Sequence, residues 1–199
     1  RSQPDPWNSK YICLDNFICA MYSKRQLGIM VNDSNIDFDY VIYLRPDLHY
    51  ITPFDIRYFS ITNKYNVCTP NFHLFPKLND RFCILHASNL DKYSGMFNYM
   101  YEYSRIHPLH SERFQYYIMT QQFKWSVRYI PVQFNRVRAN GKELPDSAQY
   151  FKLLNKRENG MLPNNRNTTK HIPDLVIKPN NNYNIKRSIQ PLFQMKKDT

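Results

Sequence analysis

The segment Asp39-Tyr40-Val41-Ile42-Tyr43-Leu44-Arg45-Pro46-Asp47 constrains the fold more than any other part of the chain. Tyr40 to Leu44 form a short, continuous run of apolar and aromatic residues. Such a run reads as a strand covered on both faces, as in a parallel sheet. Pro46 ends it, because proline supplies no N–H to a ladder. The expectation is a buried strand that delivers an acidic residue, Asp47, to a ligand site.

The flanking sequence alternates helical and strand patterns. Asp15 reads as an N-cap, and Leu14, Ile18, Met21 and Tyr22 fall on one face at helical spacing. That helix runs through about Val31 and stops at Asn32-Asp33-Ser34-Asn35. Thr52-Pro53 opens a short helix from Phe54 to Phe59. Asn66 to Thr69 and Arg81 to His86 read as strands. Ser88 or Asn89 caps a helix with the stripe Leu90, Tyr93, Phe97, Met100, Tyr101 and Ser104, and Ser111 caps another carrying Phe114, Tyr117 and Ile118. Trp125 to Phe134 reads as a last strand. This order predicts an α/β fold, a layered, mostly parallel sheet flanked by helices. Residues 1–10 read as an arm, 11–141 as the α/β domain, and 142–199 as a basic, Asn-, Pro- and Lys-rich extension of partly irregular structure.

Composition limits the function classes. The net charge is +11, with 11 Lys and Arg against 5 Asp and Glu in residues 139–199 and 16 against 11 in residues 1–138. A positive surface attracts nucleic acid, acidic lipids or phosphorylated small molecules, and charge alone does not choose among them. Cys13, Cys19, Cys68 and Cys83 lack C-x-x-C spacing and sit among apolar neighbours, so they read as buried free thiols. No apolar run approaches the ~20 residues of a membrane span, and a cytoplasmic location is expected. The chain opens at Arg1 without Met, so an upstream segment is an open alternative. With 4 glycines there is neither a phosphate-binding G-x-x-x-x-G-K-[ST] loop nor a G-x-G-x-x-G turn. No G-x-S-x-G elbow or Cys/His zinc pattern is present.

Four polar clusters remain. Arg45-Pro46-Asp47 follows a strand, where open α/β sheets bind ligands; Asp47 either holds a divalent cation or caps a turn paired with Arg45. Asn79-Asp80-Arg81 precedes a strand, and Asp80 either meets sugar hydroxyls, acts as a base, or closes a turn. His110-Ser111-Glu112-Arg113 starts a helix, where the dipole favours Glu112 and where a carboxylate is also well aimed at a ligand. Arg136-Val137-Arg138-Ala139-Asn140-Gly141 sets two arginines on one face, a pattern suited to phosphate.

Taken in order, these clusters resemble a group of glycosyltransferase-like proteins of large DNA viruses, algae and bacteria that have the GT-A type of nucleotide-diphospho-sugar fold. The resemblance covers roughly residues 12–141. It implies transfer of a sugar from a nucleotide-diphosphate sugar to a glycan or protein acceptor. In that fold an Asp-x-Asp motif holds Mn2+ or Mg2+ against the diphosphate. Here Arg45 replaces the first Asp, so Asp47 alone carries over as metal ligand or ribose contact. The resemblance further implies catalytic roles for Asp80 and Glu112, one of them a general base, and nucleotide-sugar contacts for Arg45, Asp47, Arg81 and Arg138. The fold normally places its first strand and nucleotide loop earlier. About 80 to 100 residues are then expected ahead of Trp7, and the chain is a fragment, is completed by another chain, or has lost activity. Two other classes stay open: a nucleic-acid-binding protein using the basic extension, and a structural or virion protein on a decayed enzyme fold.

Overall fold

The computed structural model describes residues 3–75 and 77–148. Helix α1 (Ile12–Asp33) is started by Asp5, whose carboxylate accepts the backbone N–H groups of Trp7, Ser9 and Tyr11. Asp15 lies in the first turn instead of at the cap, a place the helix dipole favours. The N-terminal arm is tied down by Trp7, which meets Phe17 edge-on at 6.4 Å. The buried face of α1 is Phe17, Met21 and Gly28, with Leu14 and Val31 packed at its ends. Ile18, expected inside, is 37% exposed.

Seven strands follow among the described residues: β1 (Tyr40–Leu44), β2 (Leu48–Tyr50), β3 (Asn66–Pro70), β4 (Phe82–His86), β5 (Ser126–Ile130), β6 (Phe134–Val137) and β7 (Glu143–Leu144). Between β4 and β5 lie α2 (Leu90–Ser94), α3 (Met100–Ser104) and α4 (Ser111–Tyr117). The single helix expected over 90–104 is divided by a 3₁₀ turn, Gly95–Tyr99. The short helix expected after Pro53 is a 3₁₀ turn, Ile56–Tyr58, capped by Asp55, which accepts from Arg57 N.

The main sheet has the order β1-β4-β3-β5, and a second sheet has the order β2-β6-β7. The expectation of a mostly parallel sheet is corrected here. Only β3 and β5 run parallel, while β1–β4 and β3–β4 are antiparallel. Connection length explains this. Only the link from β3 to β5 carries the helices that a parallel crossover needs, whereas β3 returns to β4 through a loop too short for one. The buried character expected of Tyr40–Leu44 is also corrected. β1 is an edge strand with Tyr43 buried and Leu44 53% exposed. The fully covered strands are β3 and β4, which lie between neighbours. The strand expected over Trp125–Phe134 is interrupted at Pro131, so β5 and β6 join different sheets.

Alternate residues of the main sheet feed two cores. Val67, Cys83 and Leu85 face Phe17, Met21, Tyr93, Met96, Phe114 and Tyr117 of the helical layer. Cys68, Phe82 and Ile84 face Phe72, Ile130, Val132 and Phe134. The molecule is thus α/β, a mixed four-stranded sheet with helices on one side and the small antiparallel sheet on the other. Cys68 and Cys83 are buried free thiols as expected, but Cys13 and Cys19 lie on the exposed side of α1. Among the described residues no helix is long and apolar enough to cross a membrane. Of the expected extension, all beyond residue 148 lies outside the described residues.

Candidate functional site

The register places the carboxyl ends of β1, β3 and β5 at one edge of the main sheet, beside the first residue of β4. Leu44 is opposite Phe82, Cys68 opposite Ile84, and Pro70 beside Ile130. That edge receives Arg45-Pro46-Asp47 after β1, His73 after β3 and Asn79-Asp80-Arg81 before β4. Asn79 is buried and shapes the turn: its Nδ2 donates to Phe72 O at 3.0 Å and its Oδ1 accepts from Arg81 N at 3.1 Å. The start of α4 reaches the same edge. Ser111 donates to Asp80 Oδ2 and does not cap its own helix, where the N-cap residue is His110.

Behind Ser111 the hydrogen bonds continue into the core. Gln115 Nε2 donates to Ser111 Oγ at 3.0 Å, and Lys24 Nζ donates to Gln115 Oε1 at 2.6 Å and to Tyr93 Oη at 3.1 Å. Burial holds the Lys24 ammonium below the ordinary lysine range, opposed by the negative charges of Asp80 and Glu112 and by Cys83. Asp80 and Glu112, the two expected catalytic carboxylates, both act electrostatically on this one lysine.

Glu112 is buried, with Oε2 at 3.2 Å from His110 Nδ1, an approach too poorly aligned for a hydrogen bond. Trp7 stacks on that imidazole, ring centroids 4.8 Å apart. His73 Nε2 lies 3.3 Å from Asp146 Oδ1, and the imidazole is pushed below the ordinary histidine range by burial first and by Arg81 and Arg136 after it, with Asp146 and, more weakly, Glu112 opposing. Arg136 grips Asp146 through Nε at 2.7 Å and Nη2 at 2.8 Å. Arg81 is different. Its Nε and Nη1 are buried and have no hydrogen-bond partner among the described residues.

At the exposed rim, Arg45 donates to both oxygens of Asp47, at 2.9 Å from Nε and 2.6 Å from Nη2. This hydrogen bonding holds Asp47 below the ordinary carboxylate range, with the charge of Arg138 adding to it. Arg138 is itself exposed. A divalent cation requires open carboxylate oxygens. Both oxygens of Asp47 are already paired, and no group of three His, Cys, Asp or Glu side chains converges among the described residues. As arranged, these residues do not fit Mn2+ or Mg2+.

Sequence reasoning missed Lys24, His73, Gln115 and Asp146. The last lies beyond the expected domain end at Gly141, yet its carboxylate and β7 pack onto the domain through Arg136 and β6. A cleft of about 400 Å³ at the opposite edge of the sheet, between Val31, Ile36, Phe38 and Leu90, offers Asp37 as its one ionisable lining group. The ionisable side chains cluster instead at the carboxyl edge. No family model, curated protein or solved structure matches the chain.

Proposed function

We propose that the chain is a glycosyltransferase or a part of one, moving a sugar from a nucleotide-diphosphate sugar to a hydroxyl of a glycan or protein. The observation that carries the reading is Arg81, whose buried Nε and Nη1 have no hydrogen-bond partner among the described residues, beside Asp80 in the turn before β4 and near the start of α4 that carries Glu112. A buried cation with open donors suits an anion such as a phosphate. Carboxylates nearby suit sugar hydroxyls and the proton that an attacking hydroxyl must lose. In such a transfer the acceptor oxygen bonds to the anomeric carbon, the bond to the diphosphate breaks, and negative charge grows on the leaving group. Arg81 would meet that charge, aided at the rim by Arg45 and Arg138. Asp80 or Glu112 would take the proton. No step is assigned to a metal ion.

The balance of charge at the site favours this reading over nucleic-acid binding. Acids and bases are paired and largely buried here, unlike the exposed basic stripe that tracks a phosphate backbone. The test is thermal shift with UDP- and GDP-sugars, with and without Mn2+, on the full chain. A rise in Tm with a nucleotide sugar, abolished by Arg81→Met, is the expected result. Equal shifts in wild type and Arg81→Met, or none with any nucleotide sugar, would overturn it.

A further inference from the structure

The hydrogen bonds from α1 to the site edge have one permitted direction. The Lys24 ammonium has only donors, so Gln115 must turn Oε1 toward it and Nε2 toward Ser111. Ser111 Oγ accepts that bond, and its single proton goes to Asp80 Oδ2. The chain therefore ends on an acceptor. Asp80 has Oδ2 occupied by the Ser111 hydroxyl, while no donor of the described residues meets Oδ1. The three linking side chains come from elements far apart in sequence, α1 and α4, and meet the turn before β4. Gln115 is 1% exposed and Ser111 8%, so water does not replace these bonds easily. A glutamine or lysine at a core-facing helix position loses solvation and needs a reason to be there. Orienting a carboxylate supplies one.

We propose that Ser111 and Gln115, anchored by Lys24, are positioning residues that aim Asp80 Oδ1 at a hydroxyl of the sugar or acceptor. This deepens the transferase reading and rests on it. It assigns the hydroxyl contact to Asp80 and leaves Glu112, whose Oε2 lies 3.2 Å from His110 Nδ1, outside the relay.

The test follows nucleoside-diphosphate release from UDP-glucose, UDP-galactose and GDP-mannose by the full chain. Ser111→Ala should lower kcat about tenfold or more with KM changed less than about twofold, because a misaimed catalytic group is felt in the transition state. Ser111→Thr keeps the hydroxyl and should restore kcat to within about threefold. Gln115→Glu keeps an acceptor for Lys24 but also accepts the Ser111 proton, so it should lose as much activity as Ser111→Ala while remaining folded. Wild-type kcat in Ser111→Ala, or a Ser111→Thr protein as slow as Ser111→Ala, would overturn the proposal. If wild type turns over none of the three sugars, the transferase reading fails, and the relay is read from urea unfolding of Ser111→Ala, Asp80→Asn and the double variant. Non-additive midpoints then support the relay, and additive ones reject it.

Discussion

Two arginine–aspartate pairs with nearly the same geometry separate the contributions of contact and burial. Arg45–Asp47 lies at the surface, with side chains 47% and 33% exposed. Arg136–Asp146 is enclosed, at 21% and 7%, and Asp146 also accepts the Arg136 backbone N–H at 3.1 Å. Exposed pairs contribute roughly 0–1 kcal/mol. Removing one partner of a buried pair costs about 3–5 kcal/mol because the other charge is stranded. Asp47→Ala is therefore expected to shift the urea midpoint by under ~1 kcal/mol equivalent, and Asp146→Ala by about 3 kcal/mol. A similar loss in both would show that burial does not distinguish the pairs. The sequence read Asp47 two ways, as a ligand residue and as the partner of Arg45, and the structure makes that pairing. Its neighbours in sequence, Arg45 at i−2 and Pro46, were enough to see that pairing. Asp146 was not legible, because its importance comes from Arg136 ten residues away across a hairpin closed at Gly141, where φ is 76°.

The elements show the same division between local and distant signals. The extents of α1, β1, β3 and β4 follow from apolar periodicity and from breakers such as Pro46 and Pro70. The inward face of α1 did not, although its code is in the sequence: Leu14, Phe17, Met21, Lys24, Gly28 and Val31 recur at alternating intervals of three and four. The stripe is hard to see because Lys24 and Gly28 interrupt it, and both interruptions have structural reasons. Lys24 holds Gln115 and Tyr93. Gly28 lets α1 approach α2, since a Cβ there would lie 2.5 Å from Ser94 Cβ. In an exposed helix Gly→Ala gains about 1 kcal/mol, whereas forcing an extra carbon into a packed contact costs about 1–3 kcal/mol. Gly28→Ala should lower Tm despite its better helix propensity. Gly28→Ala paired with Ser94→Gly should recover most of the loss. A rise in Tm for the single variant would mean the helices are not in contact here.

At the scale of the whole molecule, the site exists because the topology brings three strand ends and one helix start to a single edge. The individual clusters were visible as polar interruptions of apolar elements. Their meeting depended on strand pairing, which no local pattern contains, and so His73 was missed. His73 now gives the molecule a distinct pH response. Its proton affinity is lowered from the ordinary 6.5 by burial and by Arg81 and Arg136, with Asp146 and Glu112 opposing. Below about pH 6.5 the unfolded chain takes up that proton while the folded chain does not, so the folded state loses stability as pH falls. Asp146 acts later. Burial raises its pKa, but Arg136 outweighs burial and holds it below the ordinary 3.8. Its stabilisation is complete above that value and lost only as the pH falls through the lowered one. Two declines are thus expected, one beginning near pH 6.5 and one below pH 4. Urea midpoints measured from pH 7.5 to 5.5 should fall in wild type and fall less in His73→Gln, while Asp146→Asn should leave that upper decline in place and flatten the lower. An unchanged slope between pH 7.5 and 5.5 in His73→Gln would remove His73 as its source and place the titration at another histidine.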